Sequence, residues 1–172
     1  NLKKISSYFE IGGGFGSNVH LLIENFPNIK KIFYIDIVPN LFVGTEYLRS
    51  IYGEAVKDYD LMKDKKEISF LNTNELEIIC LPPWKIKNIV SKVDHFHNAA
   101  SLQEMTEIIV KNYFALISNI LKKDSFSLII YDDWKLNNTL SPETINKIFE
   151  NKLQLKEFYS IDNKKQIYLI PN

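Results

Sequence analysis

The sequence predicts a doubly wound α/β fold: a mostly parallel sheet of about seven strands with helices on both faces, finished by an antiparallel hairpin. Three observations carry that expectation. Strand-like apolar runs alternate with helix-like segments along nearly the whole chain. A glycine run, Gly12, Gly13, Gly14 and Gly16, stands between the first strand and the first helix. The last two strand-like runs are separated by only four residues, which permits a hairpin and forbids a crossover.

In order along the chain, Ile5–Ile11 reads as a strand ending at the glycines. Ser17 stands as the cap of a helix in which Val19, Leu22, Ile23 and Phe26 recur at helical spacing. Lys31–Ile37 is the second strand, and Pro39 and Asn40 open a helix that runs to Tyr52 and stops at Gly53. Residues 57–75 are polar and carry no clear period. Glu77–Leu81 reads as a buried strand closed by Pro82 and Pro83, followed by a short helix at Ile86–Val90 and a strand at Val93–Asn98. Ser101 and Glu104 have capping-box spacing, heading a long helix with Met105, Ile108, Ile109, Leu116, Ile117 and Ile120 on one face. Phe126–Tyr131 is the next strand, with Asp132, Asp133 and Trp134 at its tip. Ser141 caps and Pro142 begins the last helix, and Leu155–Ile161 and Gln166–Ile170 form the closing pair.

Composition narrows the function. The chain has 172 residues, 45% of them hydrophobic, enough for one core and a single domain over 1–172. Net charge is zero and Arg49 is the sole arginine, which removes the electrostatic basis for nucleic-acid binding. Cys80 stands alone in an apolar run and reads as a small buried hydrophobe in a reducing, cytoplasmic setting. No apolar stretch reaches the ~20 residues that span a bilayer. The chain starts at Asn1 rather than Met, almost on top of the first strand, and reads as a trimmed piece or as a core separated from an N-terminal region.

Ligands of doubly wound sheets sit outside the carboxyl ends of the strands, where the strand order reverses. The glycines lie there. Without a β-carbon they let a ligand meet main-chain N–H groups, and the helix after Ser17 favours an electron-rich group at its N-terminus. Asp36, twenty positions beyond Gly16 and followed by Ile37, is placed to accept hydrogen bonds from a ribose diol. Leu81 and Trp84 flank the proline pair as an apolar wall for a nucleobase. A dinucleotide and S-adenosylmethionine both suit these features.

The run is best written E-x-G-x-G-x-G from Glu10 to Gly16. It resembles the first motif of class I S-adenosylmethionine-dependent methyltransferases, which have a Rossmann-like sheet and a closing antiparallel hairpin. Glu10–Gly16, Asp36–Pro39, and Asn98, Ser101, Glu104 and Met105 further resemble the E-I-G-x-G-x-G, D-[IL]-x-P and N-x-x-S-x-x-E-M segments of a bacterial sugar O-methyltransferase family. The resemblance implies S-adenosylmethionine as cofactor, held by Glu10, the four glycines, Asp36, Ile37, Leu81 and Asn98. It also implies methyl transfer to a hydroxyl of a sugar or sugar-like small molecule.

An alcohol acceptor must lose a proton. His97 alternates with Phe96 and His95 on its strand and is a candidate base, or equally a structural histidine. Glu104 and Asp132 are the other catalytic candidates. Asp132 with Asp133 also suits a divalent cation or acceptor hydroxyls. No resident metal is expected. Three other readings stay open: a nicotinamide-dependent oxidoreductase, aminopropyl transfer suggested by "GGGFG", and a nucleoside-binding domain of this fold without turnover.

Overall fold

A computed structural model describes residues 2–123, 125–131, 139–150, 152–159 and 165–171. Asp132, Asp133 and Trp134 lie outside the described residues, as does most of the turn between the last two strands.

The strands are β1 (Ser7–Ile11), β2 (Lys31–Ile35), β3 (Val56–Lys57), β4 (Glu77–Leu81), β5 (His95–Ala99), β6 (Phe126–Tyr131), β7 (Leu153–Tyr159) and β8 (Lys165–Pro171). They form one sheet in the order β3-β4-β2-β1-β5-β6-β8-β7. The six strands from β3 to β6 are mutually parallel. β8 runs antiparallel to both β6 and β7. Apolar β-branched and aromatic residues fill the central strands, which are buried on both faces as parallel strands must be.

Helices α1 (Ser17–Asn25) and α2 (Asn40–Tyr52) cover one face, where Val19, Leu22, Leu41 and Leu48 pack on Tyr8, Ile32, Tyr34 and Ile78. On the other face α4 (Glu107–Ile120) and α5 (Pro142–Ile148) bring Val110, Ile117, Ile120 and Ile145 against Phe9, Phe33, Phe96 and Phe126. Between β3 and β4 lies the one-turn helix α3 (Tyr59–Met62).

Several local expectations change. Gly16, not Ser17, precedes α1, and its positive φ of 89° makes the turn without a side-chain cap. Ser101–Glu104 is a 3₁₀ turn, and α4 starts only at Glu107. Asn98 governs that turn instead of a capping box, its Oδ1 accepting from the Leu102 N–H at 3.1 Å. With the helix starting later, Ile108 is 80% exposed while Val110 is fully buried, so the apolar face differs from the one read off the sequence. Ser141 does cap α5, accepting from the Thr144 N–H at 3.2 Å.

Asp94 ties the start of β1 to the approach of β5. Its Oδ2 accepts from the Ser6 and Ser7 N–H groups at 2.8 and 3.0 Å and from both hydroxyls, and Lys122 donates to Oδ1 at 2.7 Å. Burial pushes the carboxyl up, but Lys122 and the serine donors outweigh it and hold the pKa well below the usual range. A depressed folded pKa gives stability that is present above the unfolded value near 3.9 and lost as pH falls through the folded one. The side chain is 20% exposed, so solvent screens part of the gain. Asp94→Asn is expected to cost about 1–2 kcal/mol at pH 7. The deficit should shrink toward pH 2 in denaturant titrations, and a deficit independent of pH would contradict this account.

Candidate active site

Strand order reverses at β1, with β2 on one side and β5 on the other. There, at the carboxyl ends, lies a cleft of about 500 Å³, within the usual range for small-molecule sites. Gly12 and Gly14 come from the turn after β1, Asp36, Ile37 and Asn40 from the end of β2 and start of α2, and Pro83 follows β4. The opposite wall is Ala99–Ser101, Glu104, Met105, and Ile109 and Tyr113 of α4.

Asp36 is nearly buried, yet faces the cleft. Its Oδ2 accepts from the Gly14 N–H and its Oδ1 from the Ile37 N–H, both at 2.7 Å. Burial raises its pKa, against the lowering by Ile37, Gly14 and Asn40. A carboxylate has about four lone-pair sites, so accepting capacity remains beyond these donors. The aspartate is therefore at once a brace for the glycine turn and an acceptor directed at the cleft.

The glycines serve different masters. A methyl on Gly12 would come within 2.1 Å of Ser101 Oγ, one on Gly13 within 2.5 Å of Tyr34 Cε2, and one on Gly16 within 3.0 Å of Leu48 Cγ. Only Gly14 of the four, at φ +60°, would project a methyl into open space. Three turn glycines thus admit the protein's own side chains, and Gly14 alone leaves room for something else. This corrects the expectation that the whole run cradles a ligand: Gly13 and Gly16 do not line the cleft.

Glu10 lies beneath the turn and is fully buried. Asn18 donates to its Oε1 at 2.8 Å, while Oε2 has no hydrogen-bond partner. Burial first, and Asp36 to a lesser extent, push the carboxyl up to about 7, against the pull of Asn18. Asn98 is likewise occupied internally, donating to Ile11 O at 2.7 Å and Ser101 Oγ at 2.5 Å. It locks the β5 turn to the end of β1 rather than facing the cleft. Leu81 is a fully buried core residue, so the wall at this point is Pro83. Trp84 is half-exposed and meets Tyr59 edge-on at 6.2 Å.

The structure does not bring His97 to the cleft. Cross-strand register sets it beside Glu10 on the sheet face covered by α1, opposite α4 and Glu104. There its Nδ1 lies 2.8 Å from Ser127 Oγ, and the Tyr8 ring stacks on it at 6.0 Å. Burial drives its pKa down to about 4, as it does that of His95. Glu104 stands exposed at the cleft wall, the one sequence-derived candidate base located there among the described residues. Among the described residues no group of three or more His, Cys, Asp or Glu could hold a metal ion, and no helix is long and apolar enough to cross a membrane.

Asn40, Ser101, Met105, Ile109 and Tyr113 complete the lining without having been picked as ligand contacts. Their signal was weak. The long helix simply carries more apolar residues than one buried stripe requires, and the surplus, Ile109 and Tyr113, faces the cleft.

The fold has counterparts among solved structures. An S-adenosylmethionine-dependent methyltransferase from Aquifex aeolicus matches at TM-score 0.64 and 14% identity, over 100% of this chain and 85% of its own. The mitomycin 7-O-methyltransferase MmcR matches at TM-score 0.62 and 14% identity, over 100% of this chain and 50% of its own. The magnesium protoporphyrin IX methyltransferase ChlM of Synechocystis PCC 6803, solved with bound S-adenosylmethionine, matches at TM-score 0.60 and 12% identity, over 100% and 72%. The fold is the Rossmann-like methyltransferase fold. This chain spans only half the length of MmcR. No family model matches the sequence, and no curated protein matches it. The finer likeness to sugar O-methyltransferases therefore rests on its motifs alone.

Proposed function

We propose that this chain binds S-adenosylmethionine in the cleft at the end of β1 and transfers its methyl group to a hydroxyl of a small molecule. One observation carries the reading. The carboxylate of Asp36 and the open side of Gly14 face the same cleft, at the switch point of a sheet whose fold neighbours include a methyltransferase solved with that cofactor. Asp36 would hold the ribose diol through its remaining lone pairs, Ile37 and Pro83 would flank the base, and Gly12, Gly14 and Ser101 would bound the amino-acid end. When bound, the cofactor supplies a methyl group already activated on a sulfonium. The chain's own task is to align the acceptor and take its proton. Glu104, on the cleft wall, would take that proton. The sugar acceptor is the finer part of the proposal and is supported by the Asn98–Met105 motif.

The turn disfavours the dinucleotide reading. A pyrophosphate is held by free turn amides. Here the N–H groups of Gly12, Gly14 and Gly16 already donate to Ile35 O, Asp36 Oδ2 and Gly13 O.

Calorimetry with S-adenosylhomocysteine tests the proposal. Asp36→Ala removes the charged acceptor for the ligand together with the brace on the Gly14 N–H, and is expected to weaken binding about 100-fold. A folded wild-type sample that ignores the nucleoside but quenches reduced nicotinamide fluorescence would replace this reading with the oxidoreductase one.

A further inference from the structure

Tyr34, the fourth residue of β2, is buried to 0% exposure directly under the glycine turn. Its ring edge fills the space that a methyl on Gly13 would occupy, at 2.5 Å, and its hydroxyl oxygen the space of a methyl on Gly44, at 2.1 Å. Its hydroxyl donates to Gly14 O and lies 3.3 Å from Asn40 O. Gly14 and Asn40 belong to two different segments of the cleft wall. The Gly14 residue is thus held on both sides from the end of β2, its N–H by Asp36, just past the strand, and its C=O by Tyr34 within it. Burial keeps the phenol protonated, with Asp36, Cys80 and Glu10 acting in the same direction, so the hydroxyl remains a donor.

We propose that Tyr34 is a positioning residue for the cofactor site: through its one hydroxyl it sets the separation of the glycine turn and the head of α2, and so the shape of the cleft between them. The proposal rests on the cofactor reading above. It assigns to a core tyrosine a part in ligand affinity that its apolar packing would not need. A phenylalanine would keep the ring against Gly13, but would lack the hydroxyl that faces Gly44 and would leave Gly14 O and Asn40 O without the shared donor.

Tyr34→Phe, measured against wild type, separates the two roles. Calorimetry with S-adenosylhomocysteine should show affinity reduced about tenfold, the equivalent of one hydrogen bond. Hydrogen exchange on the nucleoside-free protein should show the Gly14 and Phe15 amides exposed faster while those of β4 keep their protection. A residue that only fills the core would leave both readings near wild type. Equal affinity in the two proteins, or unchanged exchange at Gly14, overturns the positioning role. Failure of the wild type itself to bind overturns the cofactor reading, and the two failures are told apart by that control.

Discussion

Alanine at Gly44 is expected to destabilise the fold by about 3 kcal/mol, although Gly44 sits in the interior of α2. Helix propensity argues the other way, since alanine gains about 1 kcal/mol over glycine in a helix. Sterics decide the sign. The new methyl would stand 2.1 Å from Tyr34 Oη, 2.6 Å from Tyr34 Cζ and 3.1 Å from Gly14 O. On its other side the ring packs against Gly13, so closely that a methyl there would come within 2.5 Å, and the Gly13 backbone opposes its retreat. Gly14→Ala is the contrast. Its methyl meets nothing within 4 Å, so only the positive φ is costly, about 1 kcal/mol. That methyl enters the cleft, so nucleoside binding should suffer more than stability. Urea titration of both variants checks the order, and a Gly44→Ala protein as stable as wild type would refute the wedge described for Tyr34.

Glu10→Gln is expected to gain stability relative to wild type as pH rises, by on the order of 3 kcal/mol between pH 4 and pH 8. The folded pKa of Glu10 is raised from 4.5 to about 7, chiefly by burial. Between those values the folded protein keeps a proton that the unfolded chain has released, so this carboxyl's contribution falls as pH rises and is gone above about 7. Glutamine has no such dependence. His95 and His97 pull oppositely, their pKa values lowered from 6.5 to about 4, so wild-type stability also declines as pH drops through that window. Subtracting the wild-type curve from the variant curve isolates Glu10. A difference that does not change with pH would mean its carboxyl is ionised normally and that Oε2 has found a partner.

Outside residues 57–75 the order of the main strands and helices was legible, and for a local reason. Short β-branched runs such as "KIFYI" and "EIICL" have no competing reading once Gly, Pro and Asn bound them. Residues 57–75 were illegible because what structures them is not local. A two-residue strand and a one-turn helix fall below any period, and Ile68 is fixed by backbone hydrogen bonds with Asn88 and Val90. The Ser101–Glu104 spacing matched a capping box, but Asn98 and the positive φ of Ala100 turn the chain before a helix can begin.

At the site, neighbourhood in sequence identified the glycine turn and Asp36, because both sit at strand ends whose position follows from periodicity. Which glycine is open to a ligand was decided only in three dimensions. Tyr34, Ser101 and Leu48 come from up to 89 residues away to fill the other three places. The same holds for His97. Alternation along one strand says which side chains share a face, whereas the identity of that face depends on pairing with β1, 87 residues earlier, and on the helices packed there. Local chemistry set what the chain offers at each strand tip. Long-range packing set which of those groups meet, since contact is a property of the folded surface and not of spacing along the chain.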